Sequence, residues 1–130
     1  MRMLFKGGDM SYTIAPSKNG KYIVCQVSGL MTREVSLAFT KELDRLSREL
    51  HIKRFLTDVR DATNVLSVLE NYDYAYKDMQ DMNLQRDVRV AILVAPADES
   101  HNFALTVSRN VGYDVRIFHD EKAAIGWLNE

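Results

Sequence analysis

Three groups of residues in this 130-residue chain are of types that can do chemistry. Asp58, Arg60 and Asp61 follow one apolar run, Asp98, Ser100 and His101 a second, and His119 and Asp120 a third. Two carboxylates and an imidazole support acid–base chemistry when their surroundings separate their pKa values. The same positions suit plainer tasks. Asp61, Asp98 and Asp120 stand where helices would begin, and a carboxylate there caps a free backbone N–H. Asp58 and Arg60 can simply pair. Structural roles therefore outweigh catalytic ones, and no enzyme activity is expected. His51, His101 and His119 share no metal-ligand spacing, and there is one cysteine. Neither a metal site nor a cofactor is expected. Cys25 lies among Ile23, Val24 and Val27 and reads as a packing residue rather than a nucleophile. His51 reads as a solvated residue at a helix end. Glycine-rich nucleotide and phosphate loops are absent. A response-regulator receiver is excluded because the second strand ends Gln26-Val27-Ser28-Gly29, without an acidic pair.

A second kind of chemistry is recognition. Tyr72, Tyr74 and Tyr76, with Met79 and Met82, exceed what one buried helix stripe uses, since adjacent turn positions cannot all face a core. Tyr and Met are favoured at adaptable binding surfaces. This set is the expected partner- or ligand-binding face. The plainer alternative is a wide core stripe with one or two exposed tyrosines.

These residues must be positioned by a scaffold, and the chain length is that of one domain. Hydrophobic residues make up 46% and charged residues 27%, with 17 Lys plus Arg against 18 Asp plus Glu and a net charge of −1. That balance argues against a nucleic-acid partner, whose phosphates call for a basic excess. No apolar run approaches the ~20 residues that span a bilayer, so no stable membrane insertion is expected. A lone cysteine gives no disulfide framework, and a cytoplasmic location is expected. Residues 1–10 are expected to be an N-terminal leader, with Met1, Met3 or Met10 as the start, and 11–130 a single domain.

Tyr12 to Ala15 reads as a strand, and the Asn19-Gly20 turn leads antiparallel into Lys21 to Ser28. Thr32 caps a helix whose apolar stripe is Val35, Phe39, Leu43, Leu46 and Leu50. Arg54 to Val59 is the third strand, with a loop over Arg60 to Asn64. The second helix runs from about Ser67 to Leu84, with stripe Val68, Tyr72, Ala75, Met79 and Met82. Val88 to Ala95 is the fourth strand. Asp98 or Ser100 caps a third helix with inner face Phe103, Val107 and Val111, ended by Gly112. Tyr113 to His119 is the fifth strand, and Asp120 caps the last helix. The order β-β-α-β-α-β-α-β-α predicts an α/β domain: a mostly parallel five-stranded sheet with an antiparallel N-terminal edge strand. Arg89, Asp114 and Arg116 within strands predict one thinly covered sheet face.

The hairpin, the Leu-rich first helix and the segment Phe55-Leu56-Thr57-Asp58-Val59-Arg60 together resemble the SpoIIAA-like superfamily, which includes the STAS domains. So do Val90 to Val94 and Gly112 to Phe118. The ending from Asp120 to Leu128, with its Ala pair and Trp-Leu, is similar to the closing helix of a small bacterial branch of that superfamily. The resemblance covers roughly Ser11 to Leu128 and implies a SpoIIAA-like β-α superhelix. It implies a non-enzymatic binding or regulatory module acting through a protein partner or self-association. In STAS proteins of the anti-sigma-antagonist type, a serine at the start of the helix after the third strand is phosphorylated. The usual Asp-Ser-Ser-Gly run is absent here. The matching region, Asp61 to Ser67, offers Thr63 and Ser67, where added negative charge near a helix N-terminus is favourable. The same branch is compared with the CRAL-TRIO lipid-binding fold, which implies the alternative of a carrier or sensor for a small apolar, lipid-like ligand. An enzyme using the strand-end rim of Asp58, Arg60, Asp61, Asp98 and His119 is the third reading.

Overall fold

The sheet begins earlier than the sequence pattern suggests. The computed structural model describes the backbone of residues 3–7 and 10–130, and side chains from residue 10 onward. Within residues 1–10, expected to be a leader, lies strand β1 (Met3–Gly7). It pairs antiparallel with β2 (Met10–Pro16), with Phe5 opposite Tyr12. Five residues are too few to show a periodicity, and the hydrogen bonds that hold β1 come from the outer edge of β2. Met10 itself is fully buried.

The expected hairpin joins β2 to β3 (Ile23–Met31). Gly20 takes φ +72°, and the turn closes with Ser17 N donating to Tyr22 O at 2.8 Å. Helix α1 (Arg33–Leu50) then crosses over. The Thr32 hydroxyl accepts from Val35 N at 3.4 Å, and His51 ends the helix in the left-handed region, exposed as expected. Val35, Phe39, Leu43 and Leu46 are buried, so the predicted stripe faces the core.

Strand β4 (Arg54–Asn64) is parallel to β3 and longer than expected. The stretch from Arg60 to Asn64, read as a loop, continues the pairing, with Gly29 opposite Ala62 and Met31 opposite Asn64. It is polar because Arg60, Asp61 and Thr63 are exposed while Ala62 is buried. The helical run that follows comprises α2 (Val68–Asp73), a π-helical turn (Tyr74–Asp78) and α3 (Met79–Asp81). Strand β5 (Arg89–Leu93), helix α4 (Asn102–Asn110), strand β6 (Asp114–Phe118) and helix α5 (Glu121–Leu128) complete the chain. Neither Asp98 nor Ser100 caps α4; Asp98 instead accepts from Ser100 N at 2.9 Å in a turn ahead of it. Gly112 follows α4 at φ +102°, and Asp120 caps α5 by accepting from Ala123 N at 3.1 Å.

The result is the expected α/β architecture with one strand more: among the described residues, a six-stranded sheet in the order β1-β2-β3-β4-β5-β6, antiparallel over the first three strands and parallel thereafter. One face carries the main core. Ile23, Cys25, Val27, Phe55, Val59 and Val115 pack there with α1, with Val90 and Ile92 partly buried among them. The other face is thinly covered, as expected. Leu56, Ala91 and Leu93 meet Ala124 and Leu128 of α5, the one described helix in that cluster, with Tyr22, Phe118, Ile125 and Trp127 partly buried against them. Beside them the guanidinium carbons of Arg89 and Arg116 sit 4.8 and 5.3 Å from the Trp127 ring centre, and Arg89 lies 3.4 Å from Asp114. Cations over an indole explain how arginines are tolerated within strands. No described helix is long and apolar enough to cross a membrane.

Candidate functional site

The α2–α3 run is placed by its first turn. Ser67 and Glu70 form a reciprocal capping box, with Oγ accepting from Glu70 N at 3.1 Å and the Glu70 carboxylate accepting from Ser67 N at 3.1 Å. Asn71, almost wholly buried, fastens the connection from β4. Its Nδ2 donates to the carbonyls of Leu66 and Ser67, and its Oδ1 accepts from Asn64 Nδ2 at 3.0 Å. Further along, Asp78 takes a bidentate pair of hydrogen bonds from Arg33 of α1 at 2.7 and 2.9 Å.

The expected inner stripe is not what the structure shows. Ala75 is buried and Met79 half-buried, but Val68 and Tyr72 are 69% and 49% exposed. Asn71 and Ala75, four residues apart, hold the inner side, which turns Val68 and Tyr72 outward. The π-helical turn that follows carries more residues per turn than an α-helix, so it rotates the positions after it backwards around the axis. Met79 is thereby brought onto the inner side with Asn71 and Ala75.

The outer side is apolar too. Val68, Leu69 and Tyr72 recur at the helical spacing of one face, Val65 lies in the connection just before it, and all four are about half exposed or more. Tyr76 stacks on Tyr72 with ring centres 4.4 Å apart. Helix α4 packs against α2 and adds Phe103, expected on its inner face but 37% exposed. The buried arc of α4 is centred on Val107, one position round from Phe103, with Ala104 and Ser108 beside it.

Beneath the run lies a cavity of about 200 Å³. Its walls are Phe39 and Leu43 of α1, Val59 and Ile92 of the sheet, Met79, and Ala104 of α4. Tyr74 enters it from above. The Thr40 and Tyr74 hydroxyls hydrogen-bond to each other, and the Ser36 carbonyl accepts from Thr40 at 2.8 Å and lies 3.4 Å from the Tyr74 oxygen, so both hydroxyl protons are used within this trio. Burial pushes the Tyr74 phenol up to about 12, against a smaller opposing pull from that bond. Ser36 Oγ is buried with no hydrogen-bond partner among the described residues. His101, also buried, places Nε2 3.2 Å from the Ala62 carbonyl and 3.4 Å from an Asp98 oxygen. Both neighbours are acceptors, so Nε2 carries a proton.

The five expected recognition residues thus divide. Tyr72 and Tyr76 belong to the outer face, Tyr74 and Met79 to the cavity, and Met82 closes the run half-buried without lining the cavity. Val65 and Leu69 were not expected to take part, and Val68 was expected on the inner stripe, although the spacing of Val68, Leu69 and Tyr72 marks a second apolar stripe. Ser36, Thr40 and Asn71 had no signal, being small polar residues inside helices.

Of the strand-end rim, Asp58 and Asp61 come to the wall of one pocket beside Ser11, Gln26 and Ser28. Asp58 receives two hydrogen bonds from the Arg60 guanidinium, at 3.0 and 2.7 Å. Burial pushes the Asp58 carboxyl up, but the Arg60 hydrogen bonds and charge outweigh it and hold it below the usual range. Asp98 is also lowered, chiefly by the backbone hydrogen bond from Ser100. Among the described residues no hydrogen bond or ion pair joins Asp58, Asp61 and His119, and no group of three potential metal ligands occurs. Asp61 and His119 are exposed. Thr63 is exposed on β4 and Ser67 is exposed at its cap. Cys25 is fully buried, and burial pushes its thiol up to about 12.

No protein-family model matches the chain, and no curated protein matches it. Solved structures do resemble it. An anti-sigma factor antagonist from Mycobacterium paratuberculosis is 11% identical with a TM-score of 0.63, over 97% of this chain and 100% of that one. An uncharacterized protein with a SpoIIAA-like fold from Shewanella loihica PV-4 is 19% identical with a TM-score of 0.54, over 97% and 98%. The chain therefore has the SpoIIAA-like fold its sequence resembles.

Proposed function

We propose that the protein is a non-enzymatic regulatory module that works by seating a protein partner on the outer face of the α2–α3 run. The observation that carries this is the exposure of Val68 and Leu69, 69% and 67%, on a helix whose opposite side already serves the core. Soluble monomers seldom leave such a stripe uncovered. The likeness to an anti-sigma factor antagonist supports the reading, since such a protein exerts its effect on another protein. Thr63 and Ser67 stand at the N-terminal border of this face and are its candidate regulatory positions. A phosphate on Ser67 would break the capping box and repel Glu70, loosening the turn that presents Val68 and Leu69. The test is the double substitution Val68→Ser/Leu69→Ser. Each side chain would lose about two thirds of a ~2 kcal/mol burial on binding, so affinity should fall about a hundredfold. The protein's own melting temperature should not fall. Affinity capture followed by titration of the purified partner reads this directly, and sedimentation velocity reports whether the occupant is a second copy. Unchanged capture and unchanged sedimentation by the double variant would sink the proposal.

A further inference from the structure

We infer that the cavity beneath the α2–α3 run is a binding site for a small neutral molecule that combines an apolar body with one hydroxyl group, an alcohol or a phenol. The inference is independent of the outer face. Size sets the first limit. A dry cavity of about 150 Å³ accepts a benzene ring. This one, at about 200 Å³, takes a ring with a short branch.

Charge sets the second limit. Among the described residues no Lys or Arg lines the cavity, so an anion would give up water there without gaining a fixed cation. The one carboxylate among the described lining residues, Asp44, already accepts from Arg48 Nε at 2.8 Å and Gln85 N at 3.1 Å. A cation would find that partner taken and would meet Phe39, Leu43 and Ile92 elsewhere. The polar atoms set the third limit. The hydroxyl protons of Tyr74 and Thr40 are used between them and on the Ser36 carbonyl, and His101 has turned its N–H to the Ala62 carbonyl. What remains toward a guest is the phenolic oxygen, an acceptor, and the unpartnered Ser36 hydroxyl, which can donate or accept. A guest hydroxyl satisfies both, donating to the first and pairing with the second. The π-helical turn fits the same role, because such insertions recur where a helix is shaped around a site. Without it, Tyr74 and Met79 would not share the inner side.

The test uses four probes of one size class on the full chain: benzyl alcohol, its isomer anisole, which has no donor, benzoate and benzylammonium. Methionine methyl resonances give the readout, because Met31 and Met79 line the cavity and Met82 does not. Benzyl alcohol should shift the Met31 and Met79 methyls saturably and leave Met82 in place. Anisole should bind about fivefold more weakly for want of one hydrogen bond. Benzoate and benzylammonium should bind at least tenfold more weakly. Ala104→Leu fills the cavity and should abolish the shifts while the methyl of buried Met10 stays put; Ser108→Leu serves if that variant does not fold. Silence at Met31 and Met79 in the wild-type protein overturns the site. Benzoate binding as tightly as benzyl alcohol overturns the neutral class, and anisole binding equally overturns the donor requirement.

Discussion

Replacing Asn71 by Asp swaps one amide for one carboxyl at the joint that holds the helical run to β4, and its cost can be worked out atom by atom. Asn71 is 6% exposed and donates at 3.3 Å to the Leu66 carbonyl and at 3.1 Å to the Ser67 carbonyl. An ionised carboxyl keeps the acceptor facing Asn64 Nδ2 but loses both donors, and it turns a negative oxygen toward two carbonyls. Two lost hydrogen bonds cost about 1 kcal/mol each, and a buried charge without a counter-ion adds about 1–3 kcal/mol. Asn71→Asp should therefore destabilise by about 3–5 kcal/mol at pH 7.5, a large part of a domain's typical ~5–15 kcal/mol. The pH dependence has a definite sign. The folded state favours the protonated acid, which can still donate once, so the folded pKa lies above the unfolded value of about 3.9. The rescue is complete below that unfolded value and is lost as pH rises through the folded one. Urea denaturation followed by Trp127 fluorescence at pH 4.5 and 7.5 measures it, each referred to wild type at the same pH. Asn71→Ala supplies the control, with a smaller and pH-independent loss. A penalty below about 0.5 kcal/mol at pH 7.5, or an equal penalty at both values, would refute the assignment of Asn71 as the buried joint.

Three further outcomes follow from the same contacts. The Cys25 thiol, held at about 12 by burial, should ignore Ellman's reagent in the native protein at pH 8 and react fully in urea; a native rate near that of a free thiol contradicts its burial. Because Arg60 lowers the Asp58 pKa, the ion pair contributes above the unfolded carboxylate value of about 4 and fades as pH falls through the folded one. Stability curves of wild type and Asp58→Asn should therefore diverge near neutrality and converge in acid, and parallel curves would contradict the pairing. Gly112→Ala forces a Cβ into φ +102° and should cost about 1–2 kcal/mol in urea denaturation. The nearest side-chain atom is 3.7 Å from that Cβ, so a larger loss would point to crowding rather than backbone strain.

The parts of the fold with a strong local signal were legible. The stripe of α1, the Asn19-Gly20 turn, the Asp120 cap and the Gly112 terminator each depend on residues within one or two turns of chain. Arg89, Asp114 and Arg116 also gave away the thin face, since their charges fit only a sheet covered there by a single helix. What escaped depends on partners distant in sequence. Strand β1 exists through the edge of β2, and the far half of β4 is held by β3 rather than by its own polar composition. The helical run was expected, but its faces were assigned from its apolar residues by a regular 3.6-residue count. The buried polar Asn71, invisible to that count, is what sets the inner side and turns Val68 and Tyr72 outward. A π-helical turn has no residue signature either, so the inner and outer faces could be separated only with the backbone in view.

The sheet order has a consequence for how the protein is made. Each strand pairs with the strand synthesised just before it, from β1 to β6. No strand has to wait for a later one to slot between two earlier neighbours. A chain leaving the ribosome at about 5–20 residues per second can therefore add one strand and its helix at a time to a growing template. Short-range closure of this kind also keeps the entropic barrier low. The vulnerable element in such a sequence is the free edge of the newest strand, and in the parallel half of the sheet each crossover helix arrives before the strand that will next cover that edge.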